Sequence, residues 1–410
     1  MKTAGRVLLV VGPATGGMGS HVSGLATGLP GLGWSVTVFT SPRTAERFAL
    51  GESVVTGWPG AQPNAQPNAQ PGGRESGPAV RTVVRAVLGM VRAVRELRRL
   101  IAEADVVHAH GHQAGLLSVL TAATRRRRHR PPVVVTWHNA VLGAGPKRQV
   151  LALAEVVQAR AARLVTGASD DLVERARALG ARTARLSEVA APTPVVVSRA
   201  DETAADTVLH ALLPRERERV GEGEGERAGV ERGPVVLTVS RIAAQKRLDV
   251  LVEAAALLQP RIPGLRWLVA GDGDPALLAA LTRRATALAA PVIWLGARGD
   301  VPALMAGADV FALPSAWEAR ALVVQEAMAA GLPVVATSVG GLPGLLGDTG
   351  LLVPPGDAGA LADAVQRLVT DRWQAARLAR AARERFAALP TESEVVTGWS
   401  QEYQRLTRSA

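Results

Sequence analysis

The sequence contains no cysteine among its 410 residues. Disulfide bonds, thiolate nucleophiles and thiolate metal ligands are therefore excluded, and a chain without them suits a reducing compartment. No run of about 18 uncharged apolar residues is present, which argues against a membrane-spanning helix. The first apolar run, residues 7–11, is shorter than the core of a signal peptide. We therefore expect a protein of the cytoplasm.

Aromatic residues and lysines are also scarce. Aromatics make up 3% of the chain, and only Lys2, Lys147 and Lys246 among its 47 basic residues are lysines. The net charge of +11 has two interpretations. It indicates either an ordinary arginine-rich solvated surface or a surface that attracts anionic lipids or phosphorylated ligands. We do not expect nucleic acid as a partner, because no basic stretch is interleaved with aromatic residues that could stack on bases.

Apolar residues, in contrast, make up 48% of the chain. This proportion excludes a disordered chain, and the length favours two or three domains. Short apolar runs alternate with helical patterns in both halves, which predicts an α/β protein with two parallel sheets. A long helix is expected over residues 358–386. The expected strands are residues 6–12, 35–40, 105–108, 133–137, 163–166, 235–239, 265–270, 292–295, 310–313 and 333–337.

Stretches without apolar periodicity suggest where the domains begin and end. The first domain is expected over residues 1–197, with a low-complexity insertion at about 57–77 that carries a tandem Ala-Gln-Pro-Asn repeat. Residues 198–233 are rich in Glu, Arg and Gly and are expected to be a disordered linker. The second domain is expected over 234–389, and a helix within 390–410 is expected to cross back to the first domain.

A glycine-rich turn follows the first strand. Gly16 and Gly17 precede a helix expected from about Ser20 to Leu32, so a phosphate could approach backbone N–H groups at the helix start. The turn does not match the Gly-x-Gly-x-x-Gly dinucleotide pattern, and no acidic residue ends the second strand. A purely structural tight turn is the alternative interpretation.

Histidines occur at the ends of two expected strands. His108, His110 and His112 alternate, and alternate residues of a strand share a face, so a metal site is one interpretation. No nearby carboxylate or cysteine completes a ligand set, so we expect no metal. His138 directly follows the strand at 133–137, where ligands bind in open α/β sheets. We expect it to orient a substrate or take part in catalysis, and a structural histidine is the alternative.

Two cations follow the first strand of the second half. Arg241 and Lys246 could clamp two phosphoryl groups, one as a planar fork and the other as a point charge. A solvated loop is the alternative. Glu318 and Glu326 follow the strand at 310–313, and their carboxylates could accept hydrogen bonds from the hydroxyls of a ribose or a hexose. Glu326 is expected to begin a helix. The alternative is that its carboxylate only stabilises the positive end of the helix dipole.

Taken together, these motifs resemble those of a known enzyme family. Residues 310–357 carry the strongest likeness: Leu-Pro-Ser after a strand, the two glutamates, then Glu-Ala-Met-Ala-Ala-Gly-Leu-Pro-Val-Val-Ala-Thr, Val-Gly-Gly-Leu-Pro and Thr-Gly-Leu-Leu-Val-Pro-Pro-Gly-Asp. Supporting motifs lie at residues 16–22, 105–110, 136–138, 240–246 and 269–273. The chain resembles the retaining glycosyltransferases of family 4, which have the GT-B fold.

The resemblance implies two facing Rossmann-like domains with a nucleotide-sugar in the cleft between them. Arg241 and Lys246 would bind the donor diphosphate and stabilise the leaving group. Glu326 would hold the ribose hydroxyls, Glu318 would contact the donor sugar, and His138 would line the sugar site. The other implied contacts are Gly16 and Gly17 near the phosphate or acceptor, backbone amides of Ala321, Leu322 and Val323 near the diphosphate, and Arg298 near the base.

The implied reaction moves a hexose-type sugar from a UDP- or GDP-sugar to an unidentified acceptor. Negative charge develops on the departing diphosphate, and fixed cations can stabilise it, so neither a metal nor a further cofactor is expected beside the co-substrate. Retention would proceed by front-face attack. Glu318 is therefore not assigned as a nucleophile, in contrast to most retaining glycoside hydrolases.

Three departures from the family pattern leave alternatives open. Ala319-Arg320-Ala321 stands where glycines and an aromatic are usual, an Asn-Gly-Val-Asp turn is missing near residues 190–194, and Gly344 replaces a frequent glutamate. Arg320 would place a bulky cation near the donor sugar, so it could change which donor is accepted. One alternative is a nucleotide-sugar epimerase of the same fold, and another is a non-catalytic nucleotide-sugar-binding protein.

A basic amphipathic helix is predicted over residues 80–100. Arginines alternate there with apolar residues at helical spacing, and a second basic stretch lies at 125–130. This pattern suits peripheral contact with an anionic membrane surface, on its cytoplasmic side, and a lipid-linked or cell-envelope acceptor. An ordinary helix packed on the first sheet with its arginines outward is the alternative.

Overall fold

The computed structural model describes residues 4–14, 16–58, 79–141, 145–187, 189 and 233–408, with the backbone alone for 79–86, 146 and 147. The chain forms two compact units. The first unit comprises Met1–Pro192 with Pro390–Ala410, and the second comprises Thr193–Leu389. Each unit contains one parallel sheet and several helices, so the predicted α/β class is confirmed.

The first unit contains a seven-stranded parallel sheet. Its strands are β1 Gly5–Val11, β2 Trp34–Thr40, β3 Val54–Thr56, β4 Val106–His110, β5 Val133–Trp137, β6 Leu164–Gly167 and β7 Ala184–Leu186. Their order is β3-β2-β1-β4-β5-β6-β7, so the direction of strand addition reverses between β1 and β4. Val11 pairs with His110, and His110 pairs with Thr136. The carboxyl ends of β1 and β4 therefore flank the switch point, where open α/β sheets bind ligands, and that of β5 lies beside β4.

The helices of the first unit mostly lie between its strands. They are α1 Gly17–Gly28, α2 Pro42–Arg47, α3 Ala79–Glu103, α4 His112–Ala123, α5 Pro146–Ala161, α6 Asp170–Ala178 and, at the end of the chain, α14 Glu392–Arg408. A 3-10 turn, Leu29–Leu32, continues α1 and ends at Gly33 in the left-handed region. The prediction of a single α-helix over about 20–32 is therefore wrong in detail. Pro30 favours the tighter 3-10 turn, and Gly33 ends it.

The second unit repeats the pattern with six parallel strands. They are β8 Val235–Val239, β9 Arg266–Ala270, β10 Val292–Gly296, β11 Val310–Leu313, β12 Val334–Thr337 and β13 Leu351–Val353, in the order β10-β9-β8-β11-β12-β13. The helices are α7 Leu248–Leu258, α8 Pro275–Ala287, α9 Val301–Gly307, α10 Leu322–Ala330, α11 Leu342–Leu346, α12 Ala358–Thr370 and α13 Arg372–Ala387. Here the order reverses between β8 and β11, which places their carboxyl ends together.

Both faces of the second sheet are buried. Val236 and Val310 belong to one apolar cluster, whereas Leu237 and Phe311 belong to another. Successive residues of a strand point to opposite faces, so the two clusters lie on opposite sides of the sheet. Continuous apolar strands such as Val235–Val239 are the expected sequence of a sheet covered on both faces.

The final helix, α14, packs on the first unit. Val396, Trp399, Tyr403 and Leu406 recur at helical spacing and join the apolar cluster that contains Leu9 and Val134. Ser400 accepts a hydrogen bond from Trp34 Nε1 at 2.9 Å. The last residues of the chain are therefore part of the core of its first unit.

Comparison with the expected elements shows where sequence patterns were sufficient. The strands expected at 133–137, 235–239 and 310–313 are confirmed to the residue. The helix expected over 358–386 is two helices, because Asp371 ends α12 and its carboxylate caps α13 by accepting from Gln374 N at 2.8 Å. Most of the expected insertion at 57–77 and of the expected linker at 198–233 lies outside the described residues.

Candidate donor site and histidine cluster

The loop after β8 holds the two predicted phosphate-binding cations. Arg241 is exposed and makes no ion pair within the described residues. Lys246 ends a 3-10 turn, Ala244–Lys246, and Arg247 follows with a φ of 48° before α7 begins. The side chain of Lys246 is only 13% exposed. One predicted cation therefore lies at the surface, and the other is turned inward.

Lys246 and Glu318 form an ion pair. The distance from Lys246 Nζ to Glu318 Oε1 is 2.5 Å, and the side chains are 13% and 10% exposed. Ser315 is fully buried, and its hydroxyl donates to the same Oε1 at 2.6 Å. The carboxylate thus accepts two hydrogen bonds on one oxygen, one of them charge-assisted. The structure brings together two predicted site residues that are 72 positions apart.

Three hydrogen bonds to backbone carbonyls fix the loop that carries Glu318. Gln245 Nε2 donates to the carbonyl of Trp317 at 2.6 Å, and the amide of Ala316 donates to the carbonyl of Gln245 at 2.8 Å. Thr337 Oγ1 at the end of β12 donates to the carbonyl of Ser315 at 2.7 Å. The loops after β8, β11 and β12 are therefore joined into one rigid arrangement around Lys246 and Glu318.

Gly340 has no room for a side chain. Its φ is +52°, and a Cβ atom there would lie 1.9 Å from the carbonyl oxygen of Glu318. Gly341 N donates to that same oxygen at 2.9 Å. Only glycine combines this backbone conformation with so close an approach. The Gly-Gly pair in the loop after β12 therefore sets the position of Glu318.

Glu326 lies within α10 and not at its start. The helix begins at Leu322, so the expectation that Glu326 begins a helix is wrong, and so is the alternative use at a helix start. Its side chain is half-buried, and burial raises the pKa of its carboxyl above the ordinary value. Within the described residues no hydrogen bond or ion pair engages this carboxyl group.

The amides expected near the diphosphate lie at the start of α10. Ala321 is its N-cap residue and makes no side-chain cap, and Leu322 and Val323 form the first turn. The first N–H groups of a helix lack acceptors within it and carry partial positive charge. Arg298, expected near the base, forms a bidentate pair with Asp300, with an Nη2 to Oδ2 distance of 2.6 Å.

In the first unit, the predicted glycine turn leads into α1. Gly16 is the N-cap with a φ of 66°, and Gly17 is the first helical residue. Thr44 Oγ1 holds the chain before the turn, since it accepts from Ala14 N at 2.9 Å and donates to the carbonyl of Gly12 at 3.2 Å. A Cβ atom on Gly16 would meet nothing within 4 Å, so the space above the turn is open.

Four buried histidines lie together at the ends of β4 and β5 and on α1. The ring of His138 lies near those of His21 and His110, with centroid distances of 5.7 and 5.4 Å. His110 Nδ1 and His138 Nε2 are hydrogen-bonded at 3.2 Å. The rings of His108 and His110 are 4.0 Å apart. We call His21, His108, His110 and His138 the histidine cluster.

Burial keeps the histidine cluster uncharged. It lowers the pKa of His21 to about 4 and lowers the pKa values of His108, His110 and His138 well below 6.5. The desolvation of the charged form is the largest cause for each, and mutual repulsion adds to it for the last three. All four rings are therefore neutral at pH 7.

His112 stands apart from the cluster. It is the first residue of α4 and not part of β4, so the expected alternation of three histidines along one strand is wrong. Its Nε2 lies 2.7 Å from the carbonyl oxygen of Asn139 and 3.7 Å from Glu155. Within the described residues, no three histidine or acidic side chains are arranged to hold a metal ion.

Sequence reasoning missed several residues that shape these sites. Ser315, Gln245 and His21 lie within the motifs that carry the family resemblance, but no role was predicted for them. Tyr403 lies in the final helix, and no role in a site was predicted for it either. Their roles depend on contacts between distant segments, such as the hydrogen bond between His108 Nδ1 and the Tyr403 hydroxyl at 2.6 Å.

Comparison with known proteins identifies the family. A model of "Glycosyl transferases group 1" matches residues 233–371, and one of the "Glycosyl transferase 4-like domain" matches residues 16–192. A D-inositol 3-phosphate glycosyltransferase from Salinispora arenicola is 34% identical in an alignment of 323 positions that covers 72% of this chain and 67% of that protein. The chain belongs to the group 1 glycosyltransferase family. The predicted family resemblance is thus confirmed.

Other relatives of this group 1 glycosyltransferase are matched over smaller shares of their own length. The D-inositol 3-phosphate glycosyltransferase from Salinispora tropica is 34% identical over 72% of this chain, and the match spans 62% of that relative. An alpha-D-kanosaminyltransferase from Streptomyces kanamyceticus is 34% identical over 40% of this chain and 43% of its own length. The chain thus matches less than two thirds of the length of some curated relatives.

Solved structures show the fold of this family member. HepE from Anabaena, solved in complex with UDP and glucose, superposes with a TM-score of 0.73 at 21% identity over 98% of this chain and 100% of that one. Sucrose-phosphate synthase from Thermosynechococcus elongatus gives a TM-score of 0.70 at 22% identity over 99% and 100%. The fold is accordingly of the GT-B type, as predicted.

Proposed function

We propose that the protein is a retaining glycosyltransferase that moves a hexose-type sugar from a nucleoside diphosphate to an acceptor. One observation carries the proposal: Lys246, Glu318 and Ser315 form a buried polar cluster at the carboxyl ends of β8 and β11. Ligands of open α/β sheets bind at such strand ends. Membership of the group 1 glycosyltransferases agrees with this assignment.

The charges in this region suit a diphosphate leaving group. As the bond from the anomeric carbon to the phosphate breaks, negative charge builds up on the diphosphate. Arg241 is exposed and free to reach an anion, and Lys246 is held in place by Glu318. We infer that these two cations stabilise the leaving group without a metal ion. The amides that start α10 would add partial positive charge.

The two glutamates would act on hydroxyl groups. Glu326 is half-buried, and no hydrogen bond engages it within the described residues, so its carboxylate remains available to accept from the two hydroxyls of a ribose. Glu318 already accepts from Lys246 and Ser315 on Oε1, which leaves Oε2 for a sugar hydroxyl. Hydrogen bonding of this kind reduces nucleophilicity, so we assign Glu318 to binding and not to covalent catalysis.

The names of the related proteins suggest substrates. HepE was solved with UDP, UDP-glucose and glucose, which favours UDP-glucose as a first donor to test, with GDP-sugars as the alternative. The inositol phosphate glycosyltransferases among the relatives favour a polyhydroxylated acceptor that carries phosphate. An acceptor of that charge also suits the net charge of +11.

A transfer assay with variants tests this function. Purified protein is incubated with UDP- and GDP-sugars and an acceptor panel, and released nucleoside diphosphate and glycosylated product are measured. K246A and E326Q should each lower transfer at least about tenfold, the effect of one lost charged contact. R261A is the matched control, because its exposed ion pair with Asp363 lies on the surface of the same unit.

The same assay separates the rival functions. An isomerised sugar formed from the donor alone would indicate an epimerase. Donor binding without turnover across the acceptor panel would indicate a nucleotide-sugar-binding protein. Full activity of both K246A and E326Q would overturn the site assignment.

We further propose peripheral contact with an anionic membrane surface through α3, on the cytoplasmic side. Its later half packs on the first unit through Leu97 and Ile101, as in the ordinary-helix alternative. In its earlier half Val87 and Leu88 are 56% and 52% exposed. Exposed apolar side chains next to arginines suit insertion at a lipid surface. Within the described residues, none of the helices has the length and apolar character that crossing a bilayer requires.

Flotation with liposomes tests the membrane contact. Binding to vesicles that contain phosphatidylserine should fall with added salt and be absent from neutral vesicles. R92E/R95E reverses two exposed charges of α3 and should abolish flotation. R283E/R380E reverses two exposed charges of the second unit and should leave it intact. Equal flotation of both variants would contradict the assignment.

A further inference from the structure

One hydrogen bond in the histidine cluster joins two ring nitrogens. His110 Nδ1 lies 3.2 Å from His138 Nε2, and the two residues are 1% and 7% exposed. Burial holds the pKa of both rings well below 6.5, so each is neutral at pH 7 and carries one N–H. In such a bond one nitrogen must donate and the other must accept. The tautomer of His110 therefore decides the tautomer of His138.

The second ring nitrogen of His110, Nε2, indicates which tautomer the ring adopts. His110 Nε2 is buried and has no hydrogen-bond partner within the described residues. A proton on Nε2 would leave a buried N–H without an acceptor, which is the rarest kind of unpaired group in native proteins. A proton on Nδ1 instead is used in the bond to His138. The favoured arrangement therefore has His110 donating from Nδ1 to His138 Nε2.

The proton of His138 is then on its other nitrogen. His138 Nδ1 makes no hydrogen bond within the described residues, and it is not one of the buried atoms that lack a partner. Nε2 is engaged by His110, so Nδ1 is the ring nitrogen of His138 that is left for a ligand. His138 directly follows β5, one strand from the switch point between β1 and β4.

A second chain of hydrogen bonds stays separate from this pair. The Tyr403 hydroxyl is fully buried, and burial raises its pKa well above 10, so it keeps its proton. It lies 2.6 Å from His108 Nδ1, and the two groups share a hydrogen bond. His108 Nε2 is hydrogen-bonded to Thr136 Oγ1 at 2.7 Å, and Thr136 Oγ1 is hydrogen-bonded to Thr166 Oγ1 at 2.6 Å. Among the residues that the structure describes, no hydrogen bond links this series to His138.

We propose that His110 is a positioning residue that locks His138 in its Nδ1–H tautomer, so that His138 offers a hydrogen-bond donor to an oxygen of the transferred sugar. This inference rests on the proposed function, in which His138 lines the sugar site. It makes His138 a donor that orients the sugar and not a base that removes a proton. Loss of His110 would free the ring of His138 to adopt either tautomer.

Nuclear magnetic resonance of the full chain tests the tautomer directly. Long-range 15N–1H spectra of histidine-labelled protein at pH 7 report which ring nitrogen carries the proton, and H138N identifies the signals of His138. The proposal requires a protonated Nδ1 and an unprotonated Nε2 on His138. A protonated Nε2 on His138 would overturn it. The measurement needs no substrate, so it stands even if the chain transfers no sugar.

Matched variants separate positioning from packing. In H110N the side-chain amide can donate from nearly the place of Nδ1, whereas H110L fills the space without a donor. H110L should lower kcat about tenfold with little change in KM, and H110N should recover most of the loss. Y403F removes the buried hydroxyl that begins the hydrogen-bond series through His108, and it should leave the His138 tautomer unchanged.

The variants give two results that would count against the proposal. Equal losses of kcat in H110N and H110L would mean that the ring of His110 acts through packing alone. A mixed tautomer of His138 in Y403F would mean that the two hydrogen-bond chains are not separate. Unfolding midpoints of all three variants show whether any loss reflects a misfolded first unit.

Discussion

Two cations of the loop after β8 differ in their solvent exposure and in their partners. Arg241 is exposed, whereas Lys246 is 13% exposed and paired with Glu318, which is 10% exposed. A charge in water and a charge in a buried pair respond differently to the loss of a partner. Both residues would bind the diphosphate, but only Lys246 also contributes to the structure of the site.

Comparing K246A with R241A tests this difference. K246A should lower the free energy of unfolding by about 3 kcal/mol, because Glu318 is left buried with only Ser315 as a partner. R241A should change it by less than about 0.5 kcal/mol, as for other exposed residues. Both should weaken nucleotide-sugar binding. Denaturant unfolding and calorimetric binding are the measurements, and equal stability of the two variants would contradict the buried pair.

The histidine cluster predicts a loss of stability in acid. Burial lowers the pKa of His21 from 6.5 to about 4, so the unfolded chain takes up a proton in that window that the folded chain does not. The free energy of unfolding must therefore fall as the pH drops from 6.5 towards 4, by about 3 kcal/mol for His21 alone. His108, His110 and His138 add to the same trend.

Urea unfolding at pH 7.5, 6 and 5 measures this effect. The control H129A removes an exposed histidine outside the cluster, and the difference between pH values should remain. Stability that does not change between pH 7.5 and 5 would show that the cluster is not buried in neutral form.

At the level of elements, hydrogen bonds join the loops after β8, β11 and β12 to one another. Their hydrogen bonds run from Gln245 to Trp317, from Thr337 to Ser315 and from Gly341 to Glu318. The position of Glu318 therefore depends on a glycine that makes no contact through a side chain. A change at Gly340 should affect binding through the backbone alone.

G340A should disrupt this arrangement. Its Cβ atom would lie 1.9 Å from the carbonyl oxygen of Glu318, on a backbone with a φ of +52°. We expect a loss of about 3 kcal/mol in stability, and weaker nucleotide-sugar binding as Glu318 moves. G398A is the control, because a Cβ atom there meets nothing within 4 Å and α14 gains a better helix former. Normal stability and binding in G340A would contradict the account of this loop.

The elements also show how far the sequence could predict the structure. Strands such as 235–239 were predicted to the residue, since a continuous apolar run covered on both faces has few other interpretations. The three-residue strands β3, β7 and β13 were missed, because so short a run has no detectable period. The break at Asp371 was missed because apolar spacing continues across it, although an aspartate is a common N-cap.

The sequence indicated candidate members of the site, but not the contacts between them. Strand-end positions and the family resemblance indicated Lys246, Glu318, Glu326 and His138. The ion pair of Lys246 with Glu318 joins residues 72 positions apart, and the bond between His110 and His138 depends on the register of β4 and β5. No local pattern encodes such contacts. The chain's single tyrosine, Tyr403, is 295 positions from the histidine it binds.

At the scale of the whole molecule, the two units carry different parts of the proposed reaction. The second unit holds the charged residues assigned to the nucleotide, and the first holds the neutral histidine cluster and the glycine turn before α1. A bound nucleotide should therefore stabilise the second unit by mass action. Hydrogen exchange of the loops after β8 and β11 should slow with nucleoside diphosphate.

The central claim is that the strand ends of the second unit bind the diphosphate of a nucleotide-sugar. Calorimetric titration of the full chain with UDP, GDP and the matching monophosphates tests it most directly, with K246A beside the unchanged protein. One diphosphate should bind at least about tenfold more tightly than its monophosphate, and K246A should remove this difference. Equal affinity for diphosphate and monophosphate, or a difference that persists in K246A, would contradict the claim.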